Sequence, residues 1–111
     1  MDIQVCRQAG IYVAAVSGKI DATTSDDLED ALMGLIEEGA TNILLDMNSV
    51  TYLSSAGLRI LLLIAKHLYG GGQLALCSLQ DGVAEIIEMA GFASFMTIFP
   101  TLDEACQQML S

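Results

Sequence analysis

Strand-like and helix-like hydrophobic patterns alternate along this chain, with glycines at many of the changeovers. Residues 3–8 and 11–17 read as two strands separated by Gly10, the pattern of a hairpin. Gly18-Lys19-Ile20-Asp21 leads into a first helix, where Leu28, Leu32, Leu35 and Ile36 recur at i, i+4, i+7 and i+8. Thr24, with Asp27 three residues on, reads as a capping-box-like start, and Gly39 as the stop. A third strand covers 42–47. A second helix runs from about Ser55 to Tyr69 and ends at Gly70-Gly71-Gly72. A fourth strand follows at 73–78, then a helix with Val83, Ile86, Ile87 and Ala90 on one face that stops at Gly91. A fifth strand, 95–99, ends at Pro100, and a last helix opens on Thr101 and Glu104 as a capping box. The order is ββαβαβαβα. Strands alternating with helices require crossover connections, so the fold class is α/β. We expect a mixed sheet of about five strands with about four helices, parallel apart from the first hairpin. The 111 residues fit one domain, 1–111, with no linker or repeat.

Charge narrows the partners. Against a net charge of −10 stand only Arg7, Lys19, Arg59 and Lys66. Four scattered cations cannot neutralise a run of phosphates, so nucleic acid and anionic membrane surfaces are excluded as partners. The longest apolar stretch, Leu58 to Ala65, is interrupted by Arg59 and falls far short of the roughly 20 residues that span a bilayer. Met1-Asp2-Ile3-Gln4 carries no basic region of a signal peptide, and the expected location is cytoplasmic. The apolar fraction, 53%, allows a sheet buried on much of both faces, an exposed apolar docking surface, or both. Cys6, Cys77 and Cys106 form no C-x-x-C pair and are expected as buried, reduced thiols.

Chemistry concentrates at Ser54-Ser55-Ala56-Gly57-Leu58, between the third strand, which ends in Asp46, and the second helix. A helix start has unpaired N–H groups and a partial positive charge, so a phosphate there is tolerated locally and visible to a partner. Local chemistry also allows a plainer role, in which one serine caps the helix and Asp46 is satisfied by nearby N–H groups. A hydrolase is excluded. A nucleophile elbow needs glycine on both sides of the serine, and only Gly57 is present. The lone His67 lies twelve residues along the same helix from Ser55, about 18 Å away. No metal site is expected from a lone histidine without flanking acids. Gly70-Gly71-Gly72 follows a helix and precedes a strand, the reverse of a phosphate loop. No catalytic residue, metal or cofactor is assigned.

The chain resembles STAS domains, specifically the stand-alone anti-sigma factor antagonists of bacteria. The resemblance covers nearly the whole chain. It runs through Gly18-Lys19-Ile20-Asp21-Ala22, Asp46 to Leu53, Ser54 to Arg59, Gly71-Gly72-Gln73-Leu74 and Ile98 to Ala105. It implies an interaction module in a partner-switching pathway of transcription regulation. In that pathway an anti-sigma factor, itself a serine kinase of the ATP-binding type, binds the unphosphorylated antagonist and frees its sigma factor. Phosphorylation at the junction releases the antagonist, and a metal-dependent, PP2C-like serine phosphatase resets it. Aligned through Gly57, the implied acceptor is Ser55, with Ser54 as rival because the family often has Asp there; Ala56 stands where the family often has a second serine.

The implied partner surface comprises Asp21, Thr24, Tyr52, Ser54, Ser55, Ala56, Gly57 and Arg59, with Asp46 supporting the site. Leu53 and Leu58 are expected in the core. Two other functions fit the same sequence: a STAS interaction or scaffold module without a phosphoswitch, and a small-ligand-binding module.

Overall fold

The computed structural model describes residues 1–91 and 94–110. Its elements run β1 (Asp2–Gln8), β2 (Ile11–Ile20), α1 (Ser25–Glu37), β3 (Asn42–Leu53), α2 (Ser55–Leu68), β4 (Gln73–Cys77), α3 (Asp81–Met89), β5 (Thr97–Phe99) and α4 (Leu102–Leu110). The five strands form one sheet in the order β1-β2-β3-β4-β5. β1 pairs antiparallel with β2, and every other pair is parallel. The element order and the mixed sheet are those the hydrophobic pattern predicts.

Side-chain alternation sorts the strands into two faces. On one face Ala14, Val16, Ile43, Leu45, Met47, Leu74 and Leu76 meet the buried stripes of the first three helices: Leu28, Leu32 and Leu35 of α1, Leu61 and Ile64 of α2, Val83 and Ile87 of α3. The other face carries Ile11, Val13, Leu44, Ala75 and Cys77, covered by α4 through Ala105 with Leu102, Cys106 and Met109. The runs Ile43-Leu44-Leu45 and Leu74-Ala75-Leu76-Cys77 are therefore apolar without interruption because both of their faces are buried. Each such Leu or Ile contributes about 1.5–3 kcal/mol on burial.

The structure corrects several boundaries. β2 continues to Ile20 and β3 to Leu53, well past the expected ends at 17 and 47. The reason is two register shifts in the β2–β3 pairing: Ala15 opposes Asp46 but Ser17 opposes Ser49, and Gly18 opposes Val50 but Lys19 opposes Tyr52. Each shift inserts an extra residue into β3, so its buried residues Met47, Val50 and Leu53 fall three apart instead of two. Period-two reading stops at the first of them. β5 is confined to Thr97–Phe99; of the third-helix-to-strand connection, residues 92 and 93 lie outside the described residues.

Thr24 stands at the N-cap of α1 without a side-chain cap bond. Its hydroxyl instead accepts the Asp21 N–H at 2.9 Å and donates to the Lys19 carbonyl at 2.9 Å. The last helix keeps its expected start, with Thr101 Oγ1 accepting the Glu104 N–H at 3.1 Å. The thiols are all free, but only Cys77 is buried; Cys106 is half-buried beside Gln8, and Cys6 is exposed on β1. Cys6 lies on β1, an edge strand paired on one side only among the described residues, which a period-two pattern does not reveal. Gly72 does more than end a helix. A Cβ there would collide with the Thr41 carbonyl oxygen, which accepts the Gln73 N–H at 3.0 Å.

Candidate functional site

The parallel pairing of β2 and β3 carries both strands to the same edge of the sheet, ending in the register pair Ile20–Leu53. There the Ser54 N–H donates to the Ile20 carbonyl at 2.8 Å. This one bond fixes the entrance to α2 beside the turn that enters α1. Asp21 and Thr24 are thereby brought alongside the 54–57 junction.

The two serines have different tasks in this geometry. Ser54 is the N-cap: its backbone is extended (φ −86, ψ 171) and its Oγ accepts the Gly57 N–H at 3.2 Å. Its carbonyl takes the Leu58 N–H at 2.9 Å. Ser55 is the first helical residue, its side chain is exposed, and among the described residues no hydrogen bond occupies its hydroxyl. The sequence alone left capping open between the two; the structure gives it to Ser54. Gly57 is buried under the junction, where a Cβ would stand 2.6 Å from Ile20 Cγ2 and 2.7 Å from Leu53 Cδ1. The first turn of α2 rests on the core at this point because glycine lets it.

Around the hydroxyl, Ala56 is half-buried, and Tyr52 is 47% exposed on the last stretch of β3. Leu53 and Leu58 are buried, as expected of core residues. Arg59 lies exposed one turn beyond Ser55, on a helix without a single acid. Asp21 is held by its own loop: its Oδ1 accepts the Thr23 hydroxyl at 2.6 Å, the Thr23 N–H at 2.9 Å and the Thr24 N–H at 3.2 Å. These donors, Thr23 first, hold its carboxyl below the ordinary 3.8, so it stays an anion.

Asp46 is placed differently from the expectation. It is not at a strand end but in the body of β3, eight residues before Ser54, where its Oδ1 accepts the Asn48 N–H at 3.1 Å. With Asp2, Gln4, Ser17, Asn48 and Ser49 it lines a polar concavity of about 240 Å³. That hollow follows from the bulged pairing, on the sheet face that also carries α4. His67 is exposed in the last turn of α2, opposite the end that presents Ser55. No helix among the described residues is long and apolar enough to cross a membrane. Sequence reading missed an apolar groove of about 260 Å³ lined by Leu62, Ala65, Lys66, Tyr69 and Phe95. Its walls come from separate elements, and no local signal joins Phe95 to α2.

A parallel-crossover sheet with one N-terminal hairpin, and a helix start that presents a serine at the ends of β2 and β3, defines a small α/β domain. The STAS domain family profile matches residues 2–105, and the chain belongs to the STAS domain family. Among curated proteins it is 38% identical over 92 residues to BtrV of Bordetella bronchiseptica, named as a candidate anti-sigma factor antagonist; the match spans 82% of this chain and 77% of that one. An anti-sigma factor antagonist from Mycobacterium paratuberculosis superposes with a TM-score of 0.92 at 25% identity, covering 99% of this chain and 94% of that one. The antagonist SpoIIAA shares the fold at 19% identity, with a TM-score of 0.82 for its unphosphorylated form; 96% of this chain and 95% of that one are covered.

Proposed function

We propose that this chain is an anti-sigma factor antagonist of the partner-switching kind, acting in the cytoplasm as one domain. Unphosphorylated, it binds an anti-sigma factor that is also a serine kinase of the ATP-binding type, and it is released when Ser55 is phosphorylated. A PP2C-like phosphatase restores it. The observation that carries this reading is the division of labour at the junction. Ser54 is spent on capping, whereas Ser55 offers a free, exposed hydroxyl at the helix start.

The contact surface is the edge built from Asp21, Thr24, Tyr52, Ser54, Ser55, Ala56, Gly57 and Arg59, with Gly57 acting from beneath by seating the helix. Asp46 supports it only at a distance, by pinning the bulge through which β3 reaches the junction. A phosphoryl group adds about −1.5 to −2 charge units. The helix start accommodates that charge, so the fold stays as it is and the effect falls on the interface. Inverting a bound-to-free ratio from 99:1 to 1:99 takes about 5.5 kcal/mol. Trapping an unpaired dianion against a partner costs several kcal/mol, so one phosphate suffices.

The test is incubation with the cognate kinase and ATP, with mass spectrometry of the Ser54–Ser55 peptide. Phosphate on Ser55 is expected; phosphate on Ser54 alone overturns the assignment. Ser55→Ala should bind the kinase constitutively and Ser55→Asp weakly. Equal binding by wild type and both variants would instead favour a scaffold module without a switch.

A further inference from the structure

We infer that the outer face of α2 is a second docking surface, shaped for a short amphipathic helix with acidic residues flanking its apolar stripe. The inference stands on α2 alone and does not depend on Ser55 accepting a phosphate. Arg59, Leu62, Lys66 and Tyr69 recur at i, i+3, i+7 and i+10, so cation and apolar side chain alternate along one stripe. Tyr69 is 89% exposed and Phe95 63%, and with Leu62, Ala65 and Lys66 they enclose the groove of about 260 Å³. Neighbouring aromatic surface left in water to this extent is unusual for a small domain.

Charge selects the occupant. The chain holds fourteen acids against four Lys and Arg residues, yet α2 has no acid and carries two of those four cations. Lys66 and His67 also suit the negative end of the α2 dipole. That accounts for neither Arg59 near the opposite end nor the exposed aromatic pair. A second copy of the chain fits poorly. Two-fold packing of α2 on α2 would set the cations Arg59 and Lys66 against the same cations of the other copy, with no acid on either helix to pair them. An acidic helix instead places carboxylates against Arg59 and Lys66, about 10.5 Å apart along the axis, and a bulky apolar residue in the groove between Tyr69 and Phe95.

The groove end of this surface is remote from the switch. Tyr69 lies fourteen residues from Ser55, about 21 Å along the helix, more than two screening lengths at physiological salt. The groove end can therefore be occupied in either state of the junction, whereas Arg59 belongs to both surfaces, so a segment long enough to reach it competes with the partner at the switch.

The test uses the full chain, labelled with nitrogen-15, and a synthetic amphipathic peptide of about four helical turns. The peptide carries Leu on one face with Glu on both sides of it, and is compared with the same peptide bearing Lys for each Glu. The acidic peptide is expected to shift the amides of Leu62, Lys66, Tyr69 and Phe95, and the basic one to leave them in place. Lys66→Glu should lower affinity for the acidic peptide about tenfold. Tyr69→Ser should weaken it without inverting the charge preference, and Ser55→Asp should change it less than about threefold. The inference is overturned if neither peptide shifts these amides, if both bind equally, if the shifts map elsewhere, or if the face is occupied by a second copy of the chain at working concentration.

Discussion

Gly57 and Ile20 approach so closely that a Cβ on the glycine would stand 2.6 Å from the isoleucine Cγ2. Ile20 is fully buried, and the second neighbour, Leu53, is nearly so, which leaves neither room to yield. The site and the fold are therefore coupled: the helix start that offers Ser55 is seated on the last residues of β2 and β3.

Gly57→Ala tests that coupling. Alanine would gain about 1 kcal/mol in helix propensity over glycine. Overpacking in a closed core costs about 1–3 kcal/mol, and two contacts under 3 Å place this site toward the upper end. The expected result is a net loss of about 1–2 kcal/mol in urea unfolding, with unchanged m-value. Partner binding should fall more than stability alone explains, because the first turn of α2 must tilt to relieve the clash. Unaltered stability would show that the glycine has another purpose.

The turn that enters α1 carries its own pH signature. The hydrogen bonds from Thr23 and Thr24 favour the ionised form of Asp21, so its folded-state pKa lies below the ordinary 3.8. The contribution is complete above that ordinary value and is lost as pH falls through the depressed one. Carboxyl titration by carbon-13 NMR should place Asp21 below the ordinary 3.8. Thr23→Ala removes the largest of the contributions and should move it back up. A titration of Asp21 unaffected by Thr23→Ala would discard the hydrogen-bond explanation.

How much of this was legible in the sequence follows from what each feature depends on. Leu28, Leu32 and Leu35 announced α1, and Val83 with Ile87 announced α3, because a helix stripe is a local pattern facing one sheet. Asp46 looks like a strand end in the sequence because the extra β3 residues move Val50 and Leu53 out of alternation, and a bulge is a property of the pair of strands. The close approach of Gly72 to Thr41 and the exposure of Cys6 likewise depend on what lies across the chain. At the junction, residue types marked the place. Which serine caps was settled only by backbone angles, since both were one residue from the helix start.

Cysteine chemistry separates the open edge of the sheet, at Cys6 on β1, from its enclosed interior, at Cys77 on β4. Burial, with the Asp46 carboxylate adding to it, pushes the Cys77 thiol up to about 11. At pH 8 Cys77 is protonated and enclosed, whereas Cys6 is open to solvent. A thiol-modifying reagent followed by peptide mass mapping should label Cys6 in the native protein and Cys77 only in denaturant. Rapid native labelling of Cys77 would mean that β4 is less enclosed than described.

The hairpin between β1 and β2 turns through Ala9 (φ 46) and Gly10 (φ 91), both in the left-handed region. Alanine is poorly suited there, at about 1–2 kcal/mol, and asparagine tolerates it. Ala9→Asn should therefore raise stability by about 0.5–1 kcal/mol, read as a higher urea midpoint. The turn lies at the opposite ends of β1 and β2 from the pairs Asp2–Ser17 and Ile20–Leu53, so partner affinity should stay as it was.

The two serines can be told apart by stability before any partner is added. Ser54 Oγ accepts the Gly57 N–H, so Ser54→Ala leaves that donor without its cap and should cost about 1 kcal/mol. Ser55 makes no such bond, so Ser55→Ala should lie within about 0.5 kcal/mol of wild type. Ser55→Asp puts a negative charge at the positive end of α2 and should be neutral to about 0.5 kcal/mol stabilising, less in high salt. If the junction is a switch, the order inverts when the anti-sigma kinase is added. Ser54→Ala, once corrected for lost stability, should bind nearly as wild type, whereas Ser55→Asp should lose most of its affinity while being the better folded protein. That crossing of the two rankings is what capping alone cannot produce. If Ser55→Asp both unfolds the domain and weakens binding, charge is acting on the fold and not on the interface.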